Sequence, residues 1–261
     1  YLRDLRGLAE TPDGTSVTLD EQGRLGAFIV GGARMGSFDE AIDRPRVRAD
    51  TIHTLGGIDF RFSPKSLVGV FGGYSKTDAK FGSGPAGRPS DLETGFVGAY
   101  GTLGIGPVYV DAWGSYNSLD WTLSRGFTSA AIGPVEARTS GEIWAAGAST
   151  GLSFSLGNFE VEPFAALRYA DIQIDGFRES GSPAALTVSG VDAESLRLNL
   201  GGRIGTKFEV AGATVRPQLR GGWYREFKLD DARLIGASFN EGGIGTPFSF
   251  TTTPLSNEFY N

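Results

Sequence analysis

The sequence has no cysteine, one histidine and one methionine. Without cysteine there are no disulfides, no thiolate chemistry and no thiolate-held zinc. That absence fits an oxidising envelope compartment. The lone histidine, His53, excludes histidine-rich metal sites. No apolar run approaches the roughly 18 residues of a membrane-spanning helix. Heptads are absent, which excludes a coiled coil, and the 40 glycines follow no three-residue period, which excludes collagen. Lysine is scarce beside arginine, and the net charge is −6. A general nucleic-acid binder is normally basic, so no nucleic-acid partner is expected. No P-loop, dinucleotide fingerprint, calcium loop or zinc spacing occurs, and no cofactor or metal is expected. No signal peptide stands at Tyr1, so the chain is cytosolic or its N-terminus was removed.

What the sequence does contain is period-two alternation. Leu196, Leu198, Leu200, Gly202, Ile204, Thr206 and Phe208 fall on one face of an extended run, with Arg197, Asn199, Gly201, Arg203, Gly205 and Lys207 on the other. Successive strand side chains point to opposite faces, so the run has one apolar and one cationic, glycine-rich face. Val215, Pro217, Leu219, Gly221 and Trp223 oppose Arg216, Gln218, Arg220, Tyr224 and Glu226 in the same way. Ile52, Ile58, Phe60 and Phe62 oppose His53, Asp59 and Arg61; Val161, Pro163, Ala165, Leu167 and Tyr169 oppose Glu160, Glu162 and Arg168. Runs near 66–77, 92–103, 108–121 and 142–155 alternate less cleanly, because glycine and alanine occupy both faces.

The breaks alternate as well. Short turns fall at Ser63-Pro64-Lys65, Gly104-Ile105-Gly106-Pro107, Leu156-Gly157-Asn158 and Ala211-Gly212-Ala213. Long polar loops fall at 78–91, 124–138, 175–192 and 229–245. Strand, short turn, strand, long loop is a meander of antiparallel hairpins. Two architectures fit a two-faced meander. A soluble all-β module turns the apolar face inward; an outer-membrane barrel turns it to lipid and lines its lumen with the polar face. Long strands, the asymmetry of turns and loops, and an arginine-rich polar face favour the membrane barrel. So do aromatics near strand ends, where interface belts lie: Phe62, Tyr74, Tyr100, Tyr109, Trp121, Phe159, Tyr169, Phe208 and Trp223.

These residues resemble the C-terminal translocator domain of autotransporters, the self-secreting proteins of Gram-negative bacteria. The resemblance rests on Gly56-Gly57-Ile58-Asp59 followed by Leu67-Val68-Gly69-Val70-Phe71-Gly72-Gly73-Tyr74-Ser75. It continues through Glu162-Pro163-Phe164-Ala165-Ala166-Leu167-Arg168-Tyr169 with Gly176-Phe177, and Leu196-Arg197-Leu198-Asn199-Leu200-Gly201-Gly202-Arg203-Ile204-Gly205, and covers 24–261. It implies an all-β fold, an antiparallel meander closed into a twelve-stranded transmembrane β-barrel in the outer membrane. It further implies a pore-threading segment joined to a secreted passenger. Its partners would be outer-membrane lipid, its own passenger segment and the outer-membrane barrel assembly machinery. Residues 1–20 would be the threading segment or a linker, with 2–10 as a short helix, and 21–261 the barrel. Nine strands and the start of a tenth are counted here, so the barrel is expected to be incomplete at its C-terminal end.

The polar face carries Asp59, Arg61, Asp111, Glu162, Arg168, Arg197, Arg203, Arg216, Arg220 and Glu226. In a narrow barrel these would line the pore, pairing across strands and gripping an extended polar chain. Gly201 and Gly205 would leave room for that chain, and Gly202 and Gly221 would let aromatics lie over the lipid face. The chain is expected to anchor and export a passenger and to catalyse nothing. Three alternatives remain: a non-secreting porin or adhesin barrel, a barrel hydrolase using His53 with Asp50 or Asp59, and a soluble all-β module. Against the hydrolase, Gly-x-Ser-x-Gly is absent, since Gly73-Tyr74-Ser75-Lys76-Thr77 lacks the final glycine.

Overall fold

The alternating runs form strands, longer than the sequence indicates. The computed structural model describes residues 14–20, 22–38, 47–81, 88–127, 133–206, 208–210, 213–215, 217–228, 234–240, 247–251 and 258–260. In chain order the strands are β1 (Gly14–Thr18), β2 (Leu25–Phe38), β3 (Val47–Ser63), β4 (Ser66–Phe81), β5 (Arg88–Ile105), β6 (Val108–Arg125), β7 (Val135–Leu152), β8 (Phe154–Leu156) and β9 (Phe159–Ile174). Then come β10 (Phe177–Arg178), β11 (Leu186–Val188), β12 (Val191–Thr206), β13 (Phe208–Val210), β14 (Ala213–Val215), β15 (Gln218–Glu226), β16 (Leu234–Phe239), β17 (Phe248–Thr251) and β18 (Glu258–Tyr260).

One antiparallel sheet runs β1-β2-β3-β4-β5-β6-β7-β9-β12-β15-β18, with β8 continuing β7 alongside β9. Nine of its strands have nine or more residues. This is the all-β antiparallel meander expected from the sequence. Its edges are β1 and β18, which do not pair with each other among the described residues. The short turns lie at Pro64–Lys65, Gly106–Pro107 and Gly157–Asn158. Gly106 and Gly157 carry φ of 60° and 62°, a left-handed conformation that only glycine adopts cheaply.

The register carries one parity across the whole sheet. A single row runs Asp59–Gly69–Tyr100–Trp113–Gly147–Arg168–Arg197–Glu226, each residue opposite the next. Residues directly opposite share a face, so this row and those two residues away form one side. The other side holds Ile29, Ile58, Phe60, Val68, Val70, Val97, Val110, Leu152, Leu167, Leu200, Ile204 and Leu219, all exposed. The buried group is unusual in kind: Asp59, Asp111, Asn199 and Glu226 are buried, while these isoleucines, valines and leucines face out. That distribution inverts a water-soluble protein and suits a sheet whose outer solvent is hydrocarbon.

Aromatic rings pack over inward-facing glycines on neighbouring strands. A Cβ on Gly69 would lie 2.6 Å from the Tyr100 ring, one on Gly147 2.5 Å from Trp113, and one on Gly201 2.6 Å from Phe164. Phe28, Val30 and Tyr100 form a small buried cluster with Leu55, Leu67, Phe71 and Trp113 against it. This places the glycine–aromatic contact on the inner face at Gly201; outward Gly202 meets nothing nearer than a backbone oxygen at 3.9 Å. Three of the aromatics assigned to an interface belt also turn inward. Tyr100 and Tyr109 are buried, and Trp121 shares their face, its indole Nε1 donating to Ser90 at 2.7 Å. Their polar groups find partners inside, which is the physical reason for the difference.

The long loops are more ordered than their composition suggests. Strands continue through 78–81, 88–91, 124–125 and 135–138. Within the next two loops, β10, β11, β16 and β17 form a separate four-stranded sheet. It is tied to β6 and β7: Arg125 donates from Nε to Glu179 at 3.0 Å and from a second nitrogen to the Ala184 carbonyl at 3.2 Å. Ser180 and Glu136 exchange backbone hydrogen bonds, both 2.9 Å. The Asn240 side chain donates to the Glu179 carbonyl at 2.7 Å. No alternation marks these pieces in the sequence, because they are two to six residues long and their central pairing joins Leu186 in one loop to Phe239 in the next.

Candidate functional site

Nine of the ten residues expected to line a pore stand on the inward-facing side of the sheet: Asp59, Arg61, Asp111, Glu162, Arg168, Arg197, Arg203, Arg220 and Glu226. The tenth, Arg216, lies outside the described residues, as does the expected helix at 2–10.

Each acid is held by named donors. The Tyr100 hydroxyl donates to Asp59 at 3.2 Å. Asp111, 1% exposed, accepts from Thr102 at 2.8 Å and Ser149 at 3.3 Å. Glu162 takes the Tyr109 hydroxyl at 2.9 Å on one oxygen and Arg203 at 2.6 Å on the other. Glu226 accepts from Ser195 at 2.7 Å and the Leu196 backbone at 2.8 Å, with Arg197 Nε 3.4 Å away. Arg220 lies over the Phe164 ring at 4.5 Å. A buried carboxyl group is costly without hydrogen-bond partners, and these contacts supply them and fix each group in place.

Cations stand along both stretches of this face: Arg168, Arg197, Arg203 and Arg220 on β9, β12 and β15, and Arg34, Arg61 and Arg125 on β2, β3 and β6. The stretch from β2 to β6 also contributes the packed rings of Phe28, Phe71, Tyr100 and Trp113. The sequence missed this aromatic cluster; the signal is glycine opposite an aromatic (Gly69 and Tyr100), visible only once the register is known.

His53 is exposed on the inner face beside Gly32 and opposite Ser75. Asp50 falls on the other face by parity, and Asp59 is six residues along, about 20 Å at strand rise. The structure does not bring these three together.

The autotransporter beta-domain family matches residues 27–260. The chain belongs to that family. Among solved structures, the translocator domain of autotransporter NalP from Neisseria meningitidis is 16% identical, covering 98% of this chain and 89% of that one, with a TM-score of 0.65. The beta domain of the Bordetella autotransporter BrkA is 20% identical over 91% and 92%, with a TM-score of 0.56. The transport unit of AIDA-I from Escherichia coli is 16% identical over 86% and 75%, with a TM-score of 0.58. No curated protein matches. At these identities the structural matches speak to the fold. As an autotransporter β-domain, the chain is an outer-membrane β-barrel domain of a transport family. The soluble-module alternative is set aside. The short turns mark one rim of the barrel and the long loops, with their four-stranded sheet, the other.

Proposed function

We propose that this domain anchors an N-terminal passenger in the outer membrane and exports it through its lumen to the cell surface. The observation that carries this reading is the direction of β1. Gly14 pairs with Val30 and Thr18 with Gly26, while β2 leaves the short-turn rim at Leu25. The chain therefore descends along β1 toward the short-turn rim, with the Gly14 end of the strand nearer the long loops. A passenger upstream of such a strand is directed to the outer surface.

In this reading Asp59, Arg61, Asp111, Glu162, Arg168, Arg197, Arg203, Arg216, Arg220 and Glu226 line the pore, and the segment ahead of β1 threads it, since Gly14–Thr18 is taken up as the edge strand of the sheet. Paired charges give the threaded chain polar partners without a deep well, so an extended segment can move past. Outer-membrane lipid surrounds the barrel, and the barrel assembly machinery inserts it. The lumen does no chemistry.

The test is a reporter epitope fused upstream of Tyr1 and expressed in a Gram-negative host. Protease added to intact cells is expected to remove the epitope while leaving the barrel in the membrane. An epitope protected in intact cells and cleaved only after the outer membrane is permeabilised, with the barrel inserted, would refute export and leave a non-secreting barrel.

A further inference from the structure

The outer face repeats one motif that the lumen does not explain. On three successive long-loop hairpins, a tyrosine on the rising strand stands diagonally beside a glutamate on the descending strand: Tyr74 and Glu93, Tyr116 and Glu142, and Tyr169 and Glu194, the last pair joined by a hydrogen bond from the tyrosine at 2.6 Å. The geometry is the same each time. Tyr74 is opposite Gly95, Tyr116 opposite Trp144 and Tyr169 opposite Leu196, and the glutamate stands two residues before that opposite residue. The fourth hairpin repeats the placement, with Trp223 opposite Tyr260 and Glu258 two residues before it.

The level of the motif is constant. Counted from the last residue of each short turn (Lys65, Pro107 and Asn158), the tyrosine is nine, nine and eleven residues up its strand. A tilted transmembrane strand crosses hydrocarbon in about 9–11 residues. Below the motif the outer face is apolar: Val68 and Val70 on β4, Val108 and Val110 on β6, Phe159 and Leu167 on β9. The tyrosine–glutamate pairs therefore stand where hydrocarbon ends on the loop side. The pairs are solvent-facing: Tyr74 is 42% exposed, and the Glu93 and Glu194 side chains are 46% and 48% exposed.

We propose that these pairs are docking points for the saccharide headgroups of glycolipid in the outer leaflet. An aromatic face beside a carboxylate suits a sugar: the ring packs against C–H bonds, and the carboxylate accepts from hydroxyls. Trp144, 57% exposed and 4.9 Å from the Tyr116 ring, widens the aromatic surface at the middle hairpin. Lys76, 3.3 Å from Glu93, and Lys228, 2.9 Å from Glu194, offset the carboxylate charge at the other two. At the third hairpin the Tyr169 hydroxyl fixes the orientation of the Glu194 carboxylate. This inference rests on the barrel lying in the outer membrane, not on passenger export.

The test compares unfolding of the full chain in plain micelles, in micelles doped with a glycolipid of disaccharide headgroup, and in micelles doped with phosphatidylglycerol of matched chains. The glycolipid is expected to raise the unfolding midpoint by about 3 °C and phosphatidylglycerol by less than about 1 °C. Glu93→Gln/Glu142→Gln/Glu194→Gln is expected to abolish the glycolipid shift, and Lys76→Ala/Lys228→Ala to keep it. An equal shift with phosphatidylglycerol, or loss in the lysine variant with the glutamine variant unaffected, overturns the proposal in favour of simple anion binding. Should the triple variant not fold, each single glutamine variant must lose part of the shift, and a full shift in all three overturns it. Reporter export is unaffected by either result, so the two readings fail separately.

Discussion

Gly69→Ala tests the inward packing directly. Gly69 lies between β3 and β5 beneath the Tyr100 ring, and an added Cβ would sit 2.6 Å from that ring and 2.8 Å from the Ile58 carbonyl oxygen. A ring can swing away; a backbone oxygen in a paired strand cannot move cheaply. Overpacking of this kind costs about 1–3 kcal/mol. Moving the ring also breaks the 3.2 Å hydrogen bond to buried Asp59, which adds about 1–3 kcal/mol for an acceptor left with less than it needs. The combined effect is roughly 2–6 kcal/mol. For a chain of this size that lowers the unfolding midpoint by about 10 °C. The assay is thermal loss of β circular dichroism in micelles, paired with loss of heat-modifiable gel migration. Gly114→Ala is the control, since a Cβ there meets nothing nearer than 3.8 Å. Removing the ring as well, in Gly69→Ala/Tyr100→Ala, should cost less than the two single changes together. If Gly69→Ala is as stable as Gly114→Ala, or the two changes simply add, the packing argument is wrong.

Two further outcomes follow from the polar contacts. Asp111→Ala leaves Thr102 and Ser149 facing an empty position and should destabilise by about 2–4 kcal/mol, with Asp111→Asn costing less; equal stability of Asp111→Ala and wild type in the same melt would refute a structural role for those hydrogen bonds. Arg125→Ala removes the link from β6 to Glu179 and the Ala184 carbonyl, so limited proteolysis should nick 177–188 faster while the barrel melt stays put; an unchanged nicking rate would mean the surface sheet holds without it.

Much of the main sheet was readable from alternation. A strand with one face in hydrocarbon and the other polar must write its period in residue types, and Leu196–Thr206 does so without interruption. The same logic places Arg197, Arg203, Glu162 and Asp59 on one face from residue types alone. It failed where both faces are small or apolar. On β4, Val68, Gly69, Val70 and Phe71 give no contrast, so the inward turn of Phe71 and Tyr100 could not be seen without the register. Nor could it place β10, β11, β16 and β17, which are short, are joined through the remote pairing of β11 with β16, and read as loop by composition. The cross-strand donors were equally hidden, because Tyr109 and Glu162 lie 53 residues apart and meet only through the sheet.

The unbroken parity of the sheet has a consequence for inheritance. What a descendant must keep at most positions is a binary choice, greasy or polar, rather than a particular residue. Substitutions within each class accumulate freely, so sequences can drift to 16% identity while the fold persists across 98% of the chain. Deletions obey a harsher rule. Losing one residue inside a long strand such as β6 or β7 exchanges the two faces for everything beyond it and presents arginine or aspartate to lipid. Length changes are therefore confined to the rims. Over long divergence this lineage should vary in loop size by many residues while its strands change their letters but hardly ever their count.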